Sequence, residues 1–206
     1  TNCLFQRINQ STMKQIRSHF LIIGSGLAGL SFALKVADKG QVIILTKSSP
    51  TDTNTALAQG GIASVTAAED SFEKHIQDTL VAGAGLCHLD VVSNIVEQAP
   101  ERIHDLKKWG VDFANDLTRE GGHSERRILH FQDQTGAQIH AGVMAQVMRH
   151  PNITLIPSTM AIDIIVNKQI DPMDMAPTRC QGVYALHTLT GEVTAYLAGT
   201  TVLATG

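Results

Sequence analysis

The sequence predicts an α/β fold with a central parallel sheet and an additional antiparallel β-meander or hairpin layer. Three observations carry this prediction. Two continuous apolar runs, at 20–23 and 42–45, bracket an Ala/Leu-rich helical stretch, the pattern of a βαβ unit whose strands are covered on both faces. A glycine-bearing turn, Gly24-Ser-Gly26-Leu-Ala-Gly29, joins the first run to that helix. Beyond residue 152 the pattern becomes β, with runs at 153–156, 161–166, 182–189 and 192–197.

Taken in order, residues 1–18 are polar and aperiodic and read as a leader or loose terminus, leaving 19–206 as the folded domain. In the turn, Gly24 permits a sharp strand-to-helix bend, Gly26 lets backbone approach a pyrophosphate, and Gly29 lets the helix pack on the strand. The helix runs over about 27–38 and ends at Lys39-Gly40. Residues 47–64 are rich in Ser, Thr, Asn and Gly, and so long a connection marks a functional loop.

A helix then starts at Asp70, with Asp70 and Glu73 as a capping pair and Phe72, Ile76 and Leu80 on one face. The next helical region carries Val92, Ile95, Val96 and Ala99. Pro100 begins a fresh helix, since proline suits a first turn and disrupts an interior. Residues 119–130 are polar and end in a short strand, Ile128-Leu129. From Gly136 a further helix places Ile139, Val143 and Val147 at spacing four, and Pro151 stops it. Thr190-Gly191 turns a hairpin between the last two β runs, 171–179 is a loop, and 201–206 forms a closing buried strand.

Composition excludes several classes. A net charge of −3 and a pI near 6.3 provide no basic field for nucleic acid or a membrane surface. Lys14 and Arg17 before the apolar stretch 20–34 loosely copy a secretory signal, but three glycines interrupt it, and a bilayer span needs about 20 apolar residues. The chain therefore reads as soluble and cytoplasmic. Cys3, Cys87 and Cys180 are too scattered for a disulfide framework or zinc site and read as reduced, mostly buried thiols. Nine histidines form no paired ligand motif on one helical face, so no metal is expected.

The turn with its flanking strand and helix predicts a Rossmann-like dinucleotide site, with diphosphate at the helix N-terminus. An NAD-type site would carry an acidic residue at the end of the second strand; here the strand ends in Thr46-Lys47. Lys47 serves a ribose or a phosphate, or is a solvated loop lysine.

Beyond that turn, Ala58-Gln-Gly-Gly-Ile-Ala63, Thr118-Arg-Glu-Gly-Gly-His-Ser124, Arg126-Arg-Ile-Leu-His130 and Ala204-Thr-Gly206 follow in order. Together these segments resemble the L-aspartate oxidases, a group within the succinate dehydrogenase/fumarate reductase flavoproteins, from about Phe20 to Gly206. The resemblance implies a Rossmann-like FAD-binding fold. It places Gly24, Ser25, Gly26, Leu27, Ala28 and Gly29 around the pyrophosphate and Lys47 near the adenosine end. Asn54, Thr55, Ala56, Leu57, Ala58, Gln59, Gly60 and Gly61 would line the isoalloxazine ring, where backbone and amide donors tune the flavin. Asn54 stands where membrane-bound relatives carry a histidine covalently joined to flavin, which implies non-covalent FAD.

By the same resemblance, Glu120 orients the amino group of L-aspartate, and His123 is a weaker site candidate. A carboxylate suits an α-ammonium group entering a low-dielectric site. Without the family, Arg119, Glu120, Arg126 and Arg127 read as a solvated charge cluster. The stretch between Phe113 and Leu117 is shorter than the variable loop that the resemblance leads one to expect. The implied reaction oxidises L-aspartate to iminoaspartate with oxygen or fumarate as acceptor. This is the first step of quinolinate and NAD biosynthesis, with functional coupling to quinolinate synthase. The capping domain and the Arg and His donors for the substrate carboxylates lie in later segments of the family. The 206 residues are thus expected to be an N-terminal piece, inactive alone. The alternatives are a fumarate reductase/succinate dehydrogenase-type flavoprotein and an FAD-binding module without catalysis.

Overall fold

The computed structural model describes residues 13–206 except Asp133 and Pro172. They divide into two compact units, one comprising the described residues up to Thr53 together with Ala145–Gly206, the other Asn54–Met144.

The first unit opens on β1 (Gln15–Ile23), α1 (Leu27–Val36) with a 3-10 turn after it, and β2 (Val42–Leu45). β1 begins earlier than the apolar run suggested. Gln15–Ser18 alternate between exposed and half-buried and pair in parallel with a later strand, so part of the expected leader is sheet; residues 1–12 lie outside the described residues. β1 pairs in parallel with β2 over Phe20–Ile23, which sets Leu21 and Ile23 beside Ile43 and Leu45. These four residues lie in one buried cluster with Val183, Ala185 and Tyr196. Their neighbours Ile22 and Ile44, of opposite orientation in the pleat, are fully buried as well, as are Leu30 and Ala33 of α1. Burial on both faces is why the strands read as unbroken apolar runs.

α5 (Thr135–Arg149), assigned to the second unit up to Met144 and to the first from Ala145, buries Ile139, Val143 and Val147 at the predicted spacing. After it come β5 (Ile153–Ile156), β6 (Thr159–Val166), a single helical turn, β7 (Cys180–His187) and β8 (Val193–Leu203). The sheet order is β5-β2-β1-β8-β7-β6. β5, β2, β1 and β8 are parallel, while β7 and β6 add antiparallel strands at one edge, the meander anticipated from the sequence. The separate closing strand is a correction. Residues 193–203 form one 11-residue strand, and Leu203 is exposed. Its first half pairs with β7 and nearly its whole length with β1, so the ladder bridges the small and polar residues at 198–200.

The second unit contains α2 (Asn54–Leu57), β3 (Ile62–Ala63), α3 (Phe72–Ala82), α4 (Leu89–Lys108) and β4 (Ile128–Leu129). Ser71, not the expected pair of Asp70 and Glu73, caps α3 by accepting the Lys74 amide at 3.3 Å. Pro100 does not start a helix. It lies inside the 20-residue α4, where the missing N–H deletes one ladder bond. Val92, Val96, Ile103 and Leu106, buried on both sides of it, hold the helix continuous. Cys87 is half-buried and Cys180 is exposed, both free, so neither is the buried thiol expected; Cys3 lies outside the described residues.

Candidate functional site

At the end of β1, Gly24 adopts φ +115°, a conformation that disfavours any side chain. Its amide donates to Leu45 O at 2.9 Å and Ala204 N donates to Ile23 O at 2.8 Å, so the turn is pinned from both neighbouring strands. Gly26 is the N-cap of α1. Gly26 has no side chain with which to cap the helix, and the first turn carries no acidic residue. Leu30 N donates to Gly26 O at 3.0 Å, so the ladder of α1 opens directly on the glycine turn. A positive helix end whose first turn carries no carboxylate fits the diphosphate of a dinucleotide. The buried Ser25 hydroxyl lies 3.1 Å from both Thr46 Oγ1 and Pro50 O, which ties the turn to the segment after β2. Lys47, next in the chain, is exposed.

In the second unit, β3 and β4 pair antiparallel, Ile62 opposite Leu129 and Ala63 opposite Ile128. This short ladder matters because 54–61 leads into β3 and 119–127 leads into β4. Pairing the two strands brings the loops together: a Cβ on Gly60 would stand 3.8 Å from Glu120 Oε1. Asn54, Leu57, Ala58, Gln59, Gly60 and Glu120 are exposed, and Thr55, Ala56 and Gly61 are half-buried. Sequence reasoning missed Gly136, at the start of α5. Its amide donates to Ala58 O at 3.0 Å, and a Cβ there would press on the carbonyls of Thr55 and Ala58. Only glycine lets that helix back the 54–58 turn so closely.

The solvated charge cluster is corrected in part. Arg119 and Arg126 are exposed, whereas Arg127 is completely buried. Its guanidinium makes a two-pronged pair with Asp70, 2.7 Å on each arm, and reaches Asp78 Oδ2 at 2.6 Å. Asp78 also accepts the Ser124 amide and hydroxyl, each at 2.8 Å. Burial opposes charge on Asp78, but the Ser124 donors and Arg127 outweigh it and hold the carboxyl at about 2. His123 is half-buried, with Nδ1 3.3 Å from Arg127 NH1 and its ring 5.6 Å from His75. Guanidinium offers only donors, so His123 Nδ1 accepts and Nε2 carries the ring proton. His75 is buried, with no hydrogen-bond partner for Nδ1 among the described residues; burial first, then Arg127 and His123, push its pKa down.

An open cleft of about 760 Å³ in this unit is bordered by Glu69, Asp70, Asp116, Arg119, Ser124 and Arg126 among others; Glu120 does not line it. Among the described residues, no group of three or more His, Cys, Asp or Glu is arranged to hold a metal ion, and no helix is long and apolar enough to cross a membrane.

The chain is 42% identical over 193 residues to an L-aspartate oxidase of Nicotiana tabacum described as chloroplastic, covering 91% of this chain and 29% of that protein. It is 42% identical over 199 residues to an L-aspartate oxidase of Pseudomonas aeruginosa, covering 90% of this chain and 36% of the relative. The chain thus spans about a third of the length of these relatives. Among solved structures, an E. coli quinol fumarate reductase mutant superposes with a TM-score of 0.84 at 27% identity, over 94% of this chain and 33% of that one. The family described as FAD binding domain matches residues 19–206, almost the whole chain, and the protein belongs to that family.

Proposed function

We propose that this chain supplies the FAD site and the amino-recognising carboxylate of an L-aspartate oxidase, converting L-aspartate to iminoaspartate with oxygen or fumarate as acceptor. The observation that carries the reading is Glu120 beside Gly60, a carboxylate next to the segment assigned to the flavin ring. The 42% identity to L-aspartate oxidases of a plant and a bacterium supports the substrate.

In this reading FAD supplies the hydride acceptor for the substrate Cα–H bond. The α1 end, at Gly24, Ser25, Gly26, Leu27, Ala28 and Gly29, holds the diphosphate, and Lys47 serves the adenosine end. The segment from Asn54 to Gly61 offers amides and carbonyls to the ring. With Asn54 in place of a histidine, FAD is held non-covalently. Glu120 orients the α-ammonium of aspartate and disfavours succinate, which has no positive group to pair with it. His123 is held by Arg127 with Nε2–H as its remaining donor. Iminoaspartate is an electrophilic imine and must be used promptly, which suits coupling to a quinolinate synthase in NAD biosynthesis. The cytoplasm is the proposed compartment.

A fumarate reductase-type activity is the second reading, favoured by the superposition on that enzyme. Anaerobic mixing of the full-length protein with FAD and either L-aspartate or succinate decides between them. Bleaching of the flavin band by aspartate alone supports the oxidase. Bleaching by succinate supports the second reading, and bleaching by neither refutes both.

A further inference from the structure

Helix α3 grips the 119–127 loop at three consecutive positions. Lys74 Nζ reaches Glu125 Oε1 at 2.7 Å, Asp78 Oδ2 accepts two bonds from Ser124, and the His75 ring packs on His123. Lys74 and Asp78 are four residues apart and therefore share one face of the helix. The base of the loop is closed independently, because Thr118 and Ile128 exchange amide-to-carbonyl bonds of 3.1 Å in both directions. Between base and grip the chain has little freedom. His123 N donates to Glu120 O at 3.3 Å, which folds Glu120 to His123 into a turn that ends next to Ser124. Glu120 itself is exposed and rises from this held turn beside Gly60.

We infer that Asp78 is a positioning residue for Glu120: through Ser124 it fixes the turn that aims the Glu120 carboxylate at the substrate's ammonium group. The inference rests on the functional reading above and adds a residue from a different element, 42 positions earlier in the chain. Lys74 and Glu125 stand on the solvated side, with side chains 47% and 34% exposed, and contribute little to the hold. Asp78 is different. Its carboxylate gathers the Ser124 amide, the Ser124 hydroxyl and the Arg127 guanidinium on one oxygen, so losing its charge loosens the loop and the buried cation together.

The test uses full-length protein with FAD and compares Asp78→Asn, Ser124→Ala and Glu120→Gln. Three quantities are measured: the KM for L-aspartate, the dissociation constant of succinate from flavin spectral perturbation, and the dissociation constant of FAD. Succinate carries both carboxylates but no ammonium, so it reports on everything except the contact in question. Asp78→Asn is expected to raise the KM for aspartate roughly tenfold, the size of a weakened charged hydrogen bond, with the succinate and FAD constants unchanged. Ser124→Ala removes one of the bonds and is expected to shift the aspartate KM the same way by less. Should Asp78→Asn fail to fold, Ser124→Ala decides alone. Equal changes for aspartate and succinate, or none for either, overturn the inference if Glu120→Gln shows the aspartate-selective loss. If Glu120→Gln shows no selective loss, the functional reading falls and this inference with it.

Discussion

The carbonyl group of Ala204 occupies the space in which any other residue at position 24 would carry its Cβ: the Ala204 carbonyl carbon would lie 2.8 Å from it. The first turn of the fold is thus closed by backbone from the end of β8. Gly24→Ala meets rigid main chain, not a side chain that can rotate away, and also enters positive φ. A destabilisation of ~2 kcal/mol or more is expected, about 4–8 °C in melting temperature for a chain of this size. The displaced turn carries the amides assigned to the diphosphate, so the FAD dissociation constant should rise roughly tenfold or more in equilibrium titration. Unaltered FAD binding would separate this turn from the cofactor.

Gly136 makes the equivalent demand in the second unit. A Cβ there would lie 2.5 Å from Ala58 O and closer still to Thr55 O. Gly136→Ala is expected to push the 54–58 turn aside, shifting the flavin absorption maximum and fluorescence and costing ~1–3 kcal/mol of stability as an overpacking change. Gly121→Ala is the matched control, because a Cβ at that position meets nothing within 4 Å. An unperturbed flavin spectrum in Gly136→Ala would sever 54–58 from the ring.

Arg127 ties Asp70 and Asp78 together with no water exposure of its own. Arg127→Met removes the cation and strands two carboxylates, at a cost of about 3–5 kcal/mol, or about 6–20 °C in melting temperature. Arg127→Lys keeps the charge but cannot reproduce the paired arms to Asp70, and should fall between wild type and Arg127→Met. Calorimetry on the three proteins checks the order. A neutral Arg127→Met would mean that the cluster contributes nothing to folding.

The reach of sequence reasoning differs sharply between these residues. The βαβ start was legible because 20–23 and 42–45 are apolar on both faces and the glycine turn lies between them. The spacing of Ile139, Val143 and Val147 was equally local. The N-terminal half of β1 was hidden, since Gln15 to Ser18 are polar and become strand only through pairing with β8. Pro100 misled for a related reason: a local rule about proline lost to apolar residues packed on either side of it. Arg127 looked solvated because its partners lie 57 and 49 residues away, and charge neutralisation at that distance leaves no local pattern. Glu120 is proposed through resemblance, and its place beside Gly60 depends on a ladder of two residues per strand.

Acid should unfold the protein in two stages. His75 has an ordinary value of 6.5, lowered in the fold by burial and then by Arg127 and His123. The unfolded chain therefore binds that proton more readily, so stability is full above pH 6.5 and declines as the pH falls below it toward the lowered folded value. Asp78 acts in a lower window. Its carboxyl is held at about 2 against an ordinary 3.8, so its contribution is complete above 3.8 and lost as the pH approaches 2. Asp70, lowered in the same direction against its own burial by Arg127 and the Ser71 amide, adds to that second stage. Urea unfolding at closely spaced pH values is expected to show both slopes. His75→Gln should flatten the one that begins near 6.5 and leave the acidic one intact, while Asp78→Asn should do the reverse. If a single slope survives unchanged in both variants, the proton uptake lies elsewhere in the molecule.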